Sequence, residues 1–217
     1  MKFVPFLFIV LAVAVMFEVA VNLAIYYCVN YVPLNRGVMI DLFQRLQNEG
    51  YKFVLPKQYN GSNGLKIAIL VHDTDFNMEG AKTCVEVETQ FNIKSAFYLR
   101  VTAEYFTQSI EYFQGLEGEG WEIGLHYDSW SRTYPNTELG QQVFTGQVQY
   151  LRTFFTVCTT RAHGDKYNFN VDNFNYYDEE LWLSLGLKDF STLKGNFTYI
   201  RDTNKNYVEP NPLQNLV

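Results

Sequence analysis

The chain has 217 residues, 47% hydrophobic and 17% aromatic, with 18 phenylalanines and 16 tyrosines, a content that excludes a disordered chain. Setting aside an apolar N-terminus leaves roughly 180 residues, enough for one domain with a sizeable core. A net charge of −6 and a pI near 5.1 argue against a nucleic-acid binder, which needs a basic face to displace counterions; a mildly acidic, aromatic surface suits neutral or cationic sugars better.

Residues 1–30 carry one lysine at position 2 and then a long apolar run broken by Glu18. At about 1.5 Å per residue such a run spans a ~30 Å hydrocarbon core, so the segment is predicted to be an uncleaved transmembrane signal anchor. Lys2 on the cytoplasmic side would put the rest of the chain outside the cytosol, and Glu18 would face a partner helix. The string Ala12-Val13-Ala14 offers the alternative of a cleaved signal and a secreted domain, although hydrophobicity continues past it.

A linker, residues 31–37, leads into the domain at 38–217. VMIDLFQRLQNEG (38–50) has apolar residues at helical spacing and ends at Gly50. YKFVLP reads as a short strand, QYNGSNG as a loop, and LKIAILV (65–71) as a strand buried on both faces. Residues 79–91 are predicted helical, IKSAFYLRV a strand, 103–117 a helix, WEIGLHY a strand and 138–155 a helix; FTVCTTRAHG begins as a strand. Strands alternating with helices predict an α/β fold with a parallel sheet or barrel, in which reactive groups gather at the C-terminal ends of strands.

All three histidines, His72, His126 and His163, fall at or just past such strand ends, as do Asp73, Asp75 and Arg161. Side chains alternate faces along a strand, so Asp73 and Asp75 point one way and His72 and Thr74 the other. Arg161 and His163 likewise share a face, and the face of His126 includes Gly124, whose missing side chain would leave space beside the imidazole. Two neighbouring carboxylates at a buried strand end repel each other unless a cation lies between them. Asp75, His126 and His163 supply one carboxylate and two imidazoles, a three-ligand set for a divalent metal such as zinc, with water as the fourth ligand. Asp73 would take a proton from that water, and Arg161 beside it would favour the ionised carboxylate. Tyr127, Trp130 and Tyr134 follow the same strand and are predicted to form a sugar-stacking platform, with packing as the competing role. Asp128 is a further candidate ligand, while His72 should pack under a helix.

These motifs also carry a resemblance. Asp-x-Asp after an apolar strand, then GLHY at 124–127, then Arg161-Ala162-His163-Gly164, is similar to the polysaccharide deacetylase family (NodB homology, carbohydrate esterase family 4) over roughly residues 60 to 217. The stretch YDEELWLSLGLKDF (177–190) resembles a divergent branch of it. The resemblance implies an irregular (β/α) barrel, trimmed in so short a chain, that removes acetyl groups from N-acetylated sugars of a polysaccharide by metal-assisted hydrolysis. Asp73 matches the family's general base, Asp75 its first metal ligand, and His126 the first histidine of its His-x-x-x-His pair. Trp130 stands where the second histidine belongs, so His163 becomes the candidate third ligand. No histidine follows His163 to match the family's late general acid, so either His163 is that acid and two protein side chains hold the metal, or His163 is a ligand and the acid is missing or a different group.

Two other readings compete. One is a catalytically degenerate deacetylase fold that binds carbohydrate or tethers a partner to the membrane. The other takes Asp73-x-Asp75 as the manganese-binding acids of a glycosyltransferase, or Asp73 as the nucleophile of a haloacid dehalogenase-type phosphatase. Neither of the latter needs strand-end histidines. The remaining signals decide little: Cys84 and Cys158 could bridge or stay as free thiols, and the sequons at Asn60 and Asn196 act only in a eukaryotic secretory pathway.

Overall fold

A computed structural model describes residues 36–61, 64–75, 78–165 and 171–192. The described residues from Ile40 onward belong to one compact unit, and residues 36–39 fall outside it. The predicted anchor at 1–30 lies outside the described residues, among which no helix is long and apolar enough to cross a membrane.

Helix α1 (Arg36–Asn48) ends where predicted, with Gly50 at φ +80°, a left-handed stop that glycine adopts without strain. The apolar run 65–71 does not form one strand. Its middle, β2 (Ile67–Ala68), pairs in parallel with β1 (Lys52–Phe53) as a separate small sheet. The chain joins the main sheet only from β3 (Val71–Thr74), and the Leu70 carbonyl accepts the Ala96 amide at 3.1 Å where that pairing begins. The shift moves His72 and Asp73 inside the strand and leaves Asp75 just past its end.

Helix α2 (Met78–Gln90), β4 (Ala96–Leu99), α3 (Phe106–Gly118) and β5 (Glu122–Tyr127) follow, close to their predicted bounds. A short helix α4 (Ser129–Thr133) precedes α5 (Thr137–Arg152), which the Asn136 side chain caps by accepting the Leu139 amide at 3.0 Å. Then come β6 (Thr159–Ala162), a small antiparallel pair β7 (Gly164–Asp165) and β8 (Val171–Asp172), a 3₁₀ turn at Asn173–Tyr176, α6 (Glu179–Ser184) and β9 (Lys188–Asp189).

The main sheet runs β3-β4-β5-β6-β9 and is parallel throughout. Among the described residues it is open, with β3 and β9 as unpaired edges: the α/β class with a parallel sheet is as expected, and the irregular barrel that the resemblance implies shows no closure. One face carries the core: Phe97, Leu99, Ile123, Leu125 and Tyr127 pack with Phe106 and Phe113 of α3, Phe144, Val148 and Leu151 of α5, and Trp182 of α6. Each such fully buried side chain contributes roughly 1.5–3 kcal/mol. The other face carries Asp73, Tyr98, Gly124, His126, Thr159 and Arg161, and it is here that the predicted site residues meet. Cys84 and Cys158 are both free thiols.

Candidate metal centre

Register brings the site together. Asp75 is the next residue after Thr74, which pairs with Leu99 of β4, and His126 of β5 pairs directly with Arg161 of β6. His163 follows β6; its amide donates to the Tyr127 carbonyl at 2.9 Å and its carbonyl accepts from Asn173 Nδ2 at 2.7 Å. Three segments far apart in sequence therefore deliver Asp75, His126 and His163 to one place, with a ligand atom from each lying within 4.8 Å of the others.

The distances suit a small dication. Asp75 Oδ1 is 3.3 Å from His126 Nε2 and 3.6 Å from His163 Nε2. Ligand atoms at about 2.0–2.1 Å from a tetrahedral zinc lie roughly 3.3–3.4 Å apart. The two imidazoles meet edge to face, centroids 5.1 Å apart at 73°.

Second contacts prepare these groups. His126 Nδ1 lies 3.0 Å from the Arg161 carbonyl oxygen, which can only accept, so Nδ1 carries a proton and Nε2 is the nitrogen turned toward Asp75. Asp75 Oδ1 is buried and makes no hydrogen bond among the described residues; the approach of His126 Nε2 is an ion-pair contact lacking hydrogen-bond geometry. A lone pair facing a buried carboxylate is repulsive until a proton or metal ion lies between them. The titration behaviour agrees. Burial would raise Asp75, but His126, His163 and Arg100 outweigh it and hold the carboxyl below its ordinary range. Burial would lower His126, yet Asp73, Asp75 and the Arg161 carbonyl raise it. His163 is lowered, first by burial and then by the neighbouring charges of His126 and Arg100. The donor set, the spacing and a buried carboxylate oxygen that makes no hydrogen bond among the described residues all fit a divalent ion such as zinc.

Asp73 stands beside this cluster as expected. Arg161 Nε is 2.7 Å from Asp73 Oδ1 and 2.8 Å from Oδ2, and the guanidinium lies over the Phe190 ring, its carbon 5.5 Å from the centroid. Compared with protein-family models, curated proteins and solved structures, the chain finds no match. The site itself therefore carries the functional argument.

Three sequence expectations are corrected. Tyr127 and Trp130 do not form a sugar platform: they are 0% and 2% exposed, and Tyr127 packs against Trp130, Phe144 and Trp182 at centroid distances of 5.9, 5.2 and 5.4 Å. The cause is strand alternation. Tyr127 adjoins His126 and so faces the helices. The space over Gly124 is not open either, since a Cβ there would lie 2.5 Å from the Tyr98 ring that crosses it. Asp128 is not placed as a ligand. It is 1% exposed and accepts from Arg100, Thr102, Arg132 and Gln147 at 3.1, 2.7, 2.6 and 2.9 Å; burial would raise its carboxyl, but Arg132, Thr102 and Gln147 outweigh it and hold the group at about 2. His72 packs under α2 as expected, on Glu88 at 2.5 Å and against the Phe97 ring.

Sequence reading missed Asn173 and Arg100. Asn173 is fully buried, and its Oδ1 accepts the amides of Trp130 and Ser131 at 3.0 Å each while its Nδ2 holds the His163 carbonyl. Nothing in its local sequence marks that role. Arg100 was legible, because it is two residues after Tyr98 and strand alternation puts both on the site face.

Proposed function

We propose that the protein is a metal-dependent hydrolase that removes N-acetyl groups from an extracytoplasmic polysaccharide, held at a membrane by its first thirty residues. The observation that carries the reading is the convergence of Asp75, His126 and His163, with the Arg161-braced carboxylate of Asp73 next to it. The choice of N-acetylated sugar rests on the resemblance of the Asp-x-Asp, GLHY and Arg-x-His-Gly motifs to polysaccharide deacetylases.

Asp75, His126 and His163 would hold the ion, and when bound it supplies Lewis acidity to water and to the acyl carbonyl. Asp73 accepts the proton released as water attacks the acyl carbon, and Arg161 fixes the orientation of that carboxylate. The Arg161 carbonyl keeps His126 in the tautomer whose Nε2 is a donor to metal. Collapse breaks the C–N bond and delivers acetate and a free amine. The proton that reaches the amine is the one Asp73 took from water, which keeps the steps balanced.

The test uses full-length protein loaded with zinc and an N-acetylglucosamine oligomer. Release of acetate that disappears in Asp75→Ala and His126→Ala, together with the bound zinc, supports the reading. Zinc binding without acetate release would favour the alternative of a carbohydrate-binding module. The absence of a second histidine at position 130 is what keeps that alternative open.

A further inference from the structure

The strand between Asp75 and His126 contributes a third group at the same level. Arg100 is the next residue after Leu99, which pairs with Thr74 on one side and Leu125 on the other. Asp75, Arg100 and His126 thus follow one another across three adjacent strands, and His126 pairs in turn with Arg161. A guanidinium in the row that gathers a dication is electrostatically costly unless negative charge develops beside it.

Arg100 is held for such a purpose. Its Nη2 donates to Asp128 Oδ2 at 3.1 Å, and its backbone amide donates to the Tyr105 hydroxyl at 3.1 Å. Its Nε is buried and has no hydrogen-bond partner among the described residues. Asp128 does not neutralise it fully, because the same carboxylate oxygen also binds Arg132 at 2.6 Å. Around the cluster, Asp73, Asp75 and Asp128 are matched by Arg100, Arg132 and Arg161 before any cation enters. A dication therefore leaves two positive charges uncompensated among these groups, and an anionic occupant relieves them.

We propose that Arg100 is the oxyanion-binding residue of this site, donating from Nε to the acyl oxygen as it gains charge and to the acetate carboxylate after the C–N bond breaks. The inference rests on the hydrolase reading for its substrate, though the recognition of a small carboxylate does not. As water adds to the acyl carbon, the carbonyl π pair moves onto oxygen; that charge meets a fixed donor in place of reorganising solvent. On collapse the pair re-forms the carbonyl and the amine departs.

The test titrates sodium acetate into the zinc-loaded full chain by calorimetry, comparing wild type with Arg100→Gln, Arg100→Lys and Asp128→Asn, each checked for zinc content. Arg100→Gln should weaken acetate binding at least tenfold at unchanged zinc content. Arg100→Lys should lose less, since it keeps the charge without the planar fork, and it carries the comparison if the glutamine variant fails to fold. With the oligomer as substrate, kcat should fall about 10²-fold and KM should stay within about threefold. Asp128→Asn removes the brace and leaves the Arg100 donors. Equal losses in it and in Arg100→Gln would make Arg100 structural and overturn the proposal. So would acetate affinity unchanged in Arg100→Gln, or wild type with no measurable acetate binding. Acetate binding through Arg100 in a protein that releases none from the oligomer would sink the hydrolase reading alone.

Discussion

The backbone carbonyl of Arg161 accepts a hydrogen bond from His126 Nδ1 at 3.0 Å, and this one contact decides which imidazole nitrogen faces Asp75. The same residue's side chain grips Asp73, so Arg161 serves two neighbours through chemically separate groups. Arg161→Ala keeps the carbonyl and removes the guanidinium. The variant should retain its zinc while acetate release falls by about 10²-fold or more, and Asp73→Asn should behave alike. Zinc content and acetate release measured on one sample check this. Loss of metal from Arg161→Ala would contradict the division of roles.

Proton and metal compete for His126. Its affinity for protons is raised by Asp73, Asp75 and the Arg161 carbonyl despite burial, so metal must displace a proton held above the ordinary imidazole range. Zinc binding should therefore release protons, detected with a dye in weakly buffered solution, and the apparent affinity should weaken steadily toward acid pH. Affinity that does not change between pH 8 and pH 5.5 would argue against imidazole ligands.

On the opposite face of β3, His72 and Glu88 form a buried ion pair that also takes in Ser95 and Trp121, whose donors reach Glu88 Oε2 at 2.7 and 3.1 Å. Burial alone would lower His72, but hydrogen bonds to Cys84 and Glu88 outweigh it and raise the group from 6.5 to about 10. A value raised on folding contributes stability that is complete below pH 6.5 and lost as pH climbs through 10. Urea unfolding between pH 6 and pH 10.5 should show this decline in wild type and a flatter profile in Glu88→Gln. Breaking the pair should cost on the order of 3–5 kcal/mol, a fall in Tm on the order of 10 °C.

Two glycines sit where a methyl group has no room. A Cβ at Gly140 would lie 2.4 Å from Trp130 Cδ1, and one at Gly124 would meet both the Tyr98 ring at 2.5 Å and the Thr159 carbonyl at 2.8 Å. Alanine at either position should destabilise by about 1–3 kcal/mol. Gly124→Ala should be the worse of the two, because a backbone carbonyl yields less than a ring. Thermal melts of the two variants compare them directly.

Much of the site was readable because one rule, alternation along a strand, fixes which residues can meet. It paired Asp73 with Asp75 and Arg161 with His163, and it separated His72 from them. Applied to Tyr127 it would have removed that ring from the substrate list, and applied to Arg100 it would have added one. Sheet closure was not readable. Alternating helices and strands demand parallel pairing, but nothing in their spacing says whether the edge strands meet. The split of residues 65–71 into β2 and the approach to β3 was equally hidden, since an apolar run looks the same in either sheet. Asn173 holds His163 through a backbone carbonyl, a contact that leaves no trace in residue type.

The central claim is that Asp75, His126 and His163 hold one divalent ion. Elemental analysis of the purified, zinc-equilibrated chain beside Asp75→Ala, His126→Ala and His163→Ala tests it most directly. About one zinc per wild-type chain and near none in each folded variant is the expected result. Full zinc content in any one of the three variants would contradict the site.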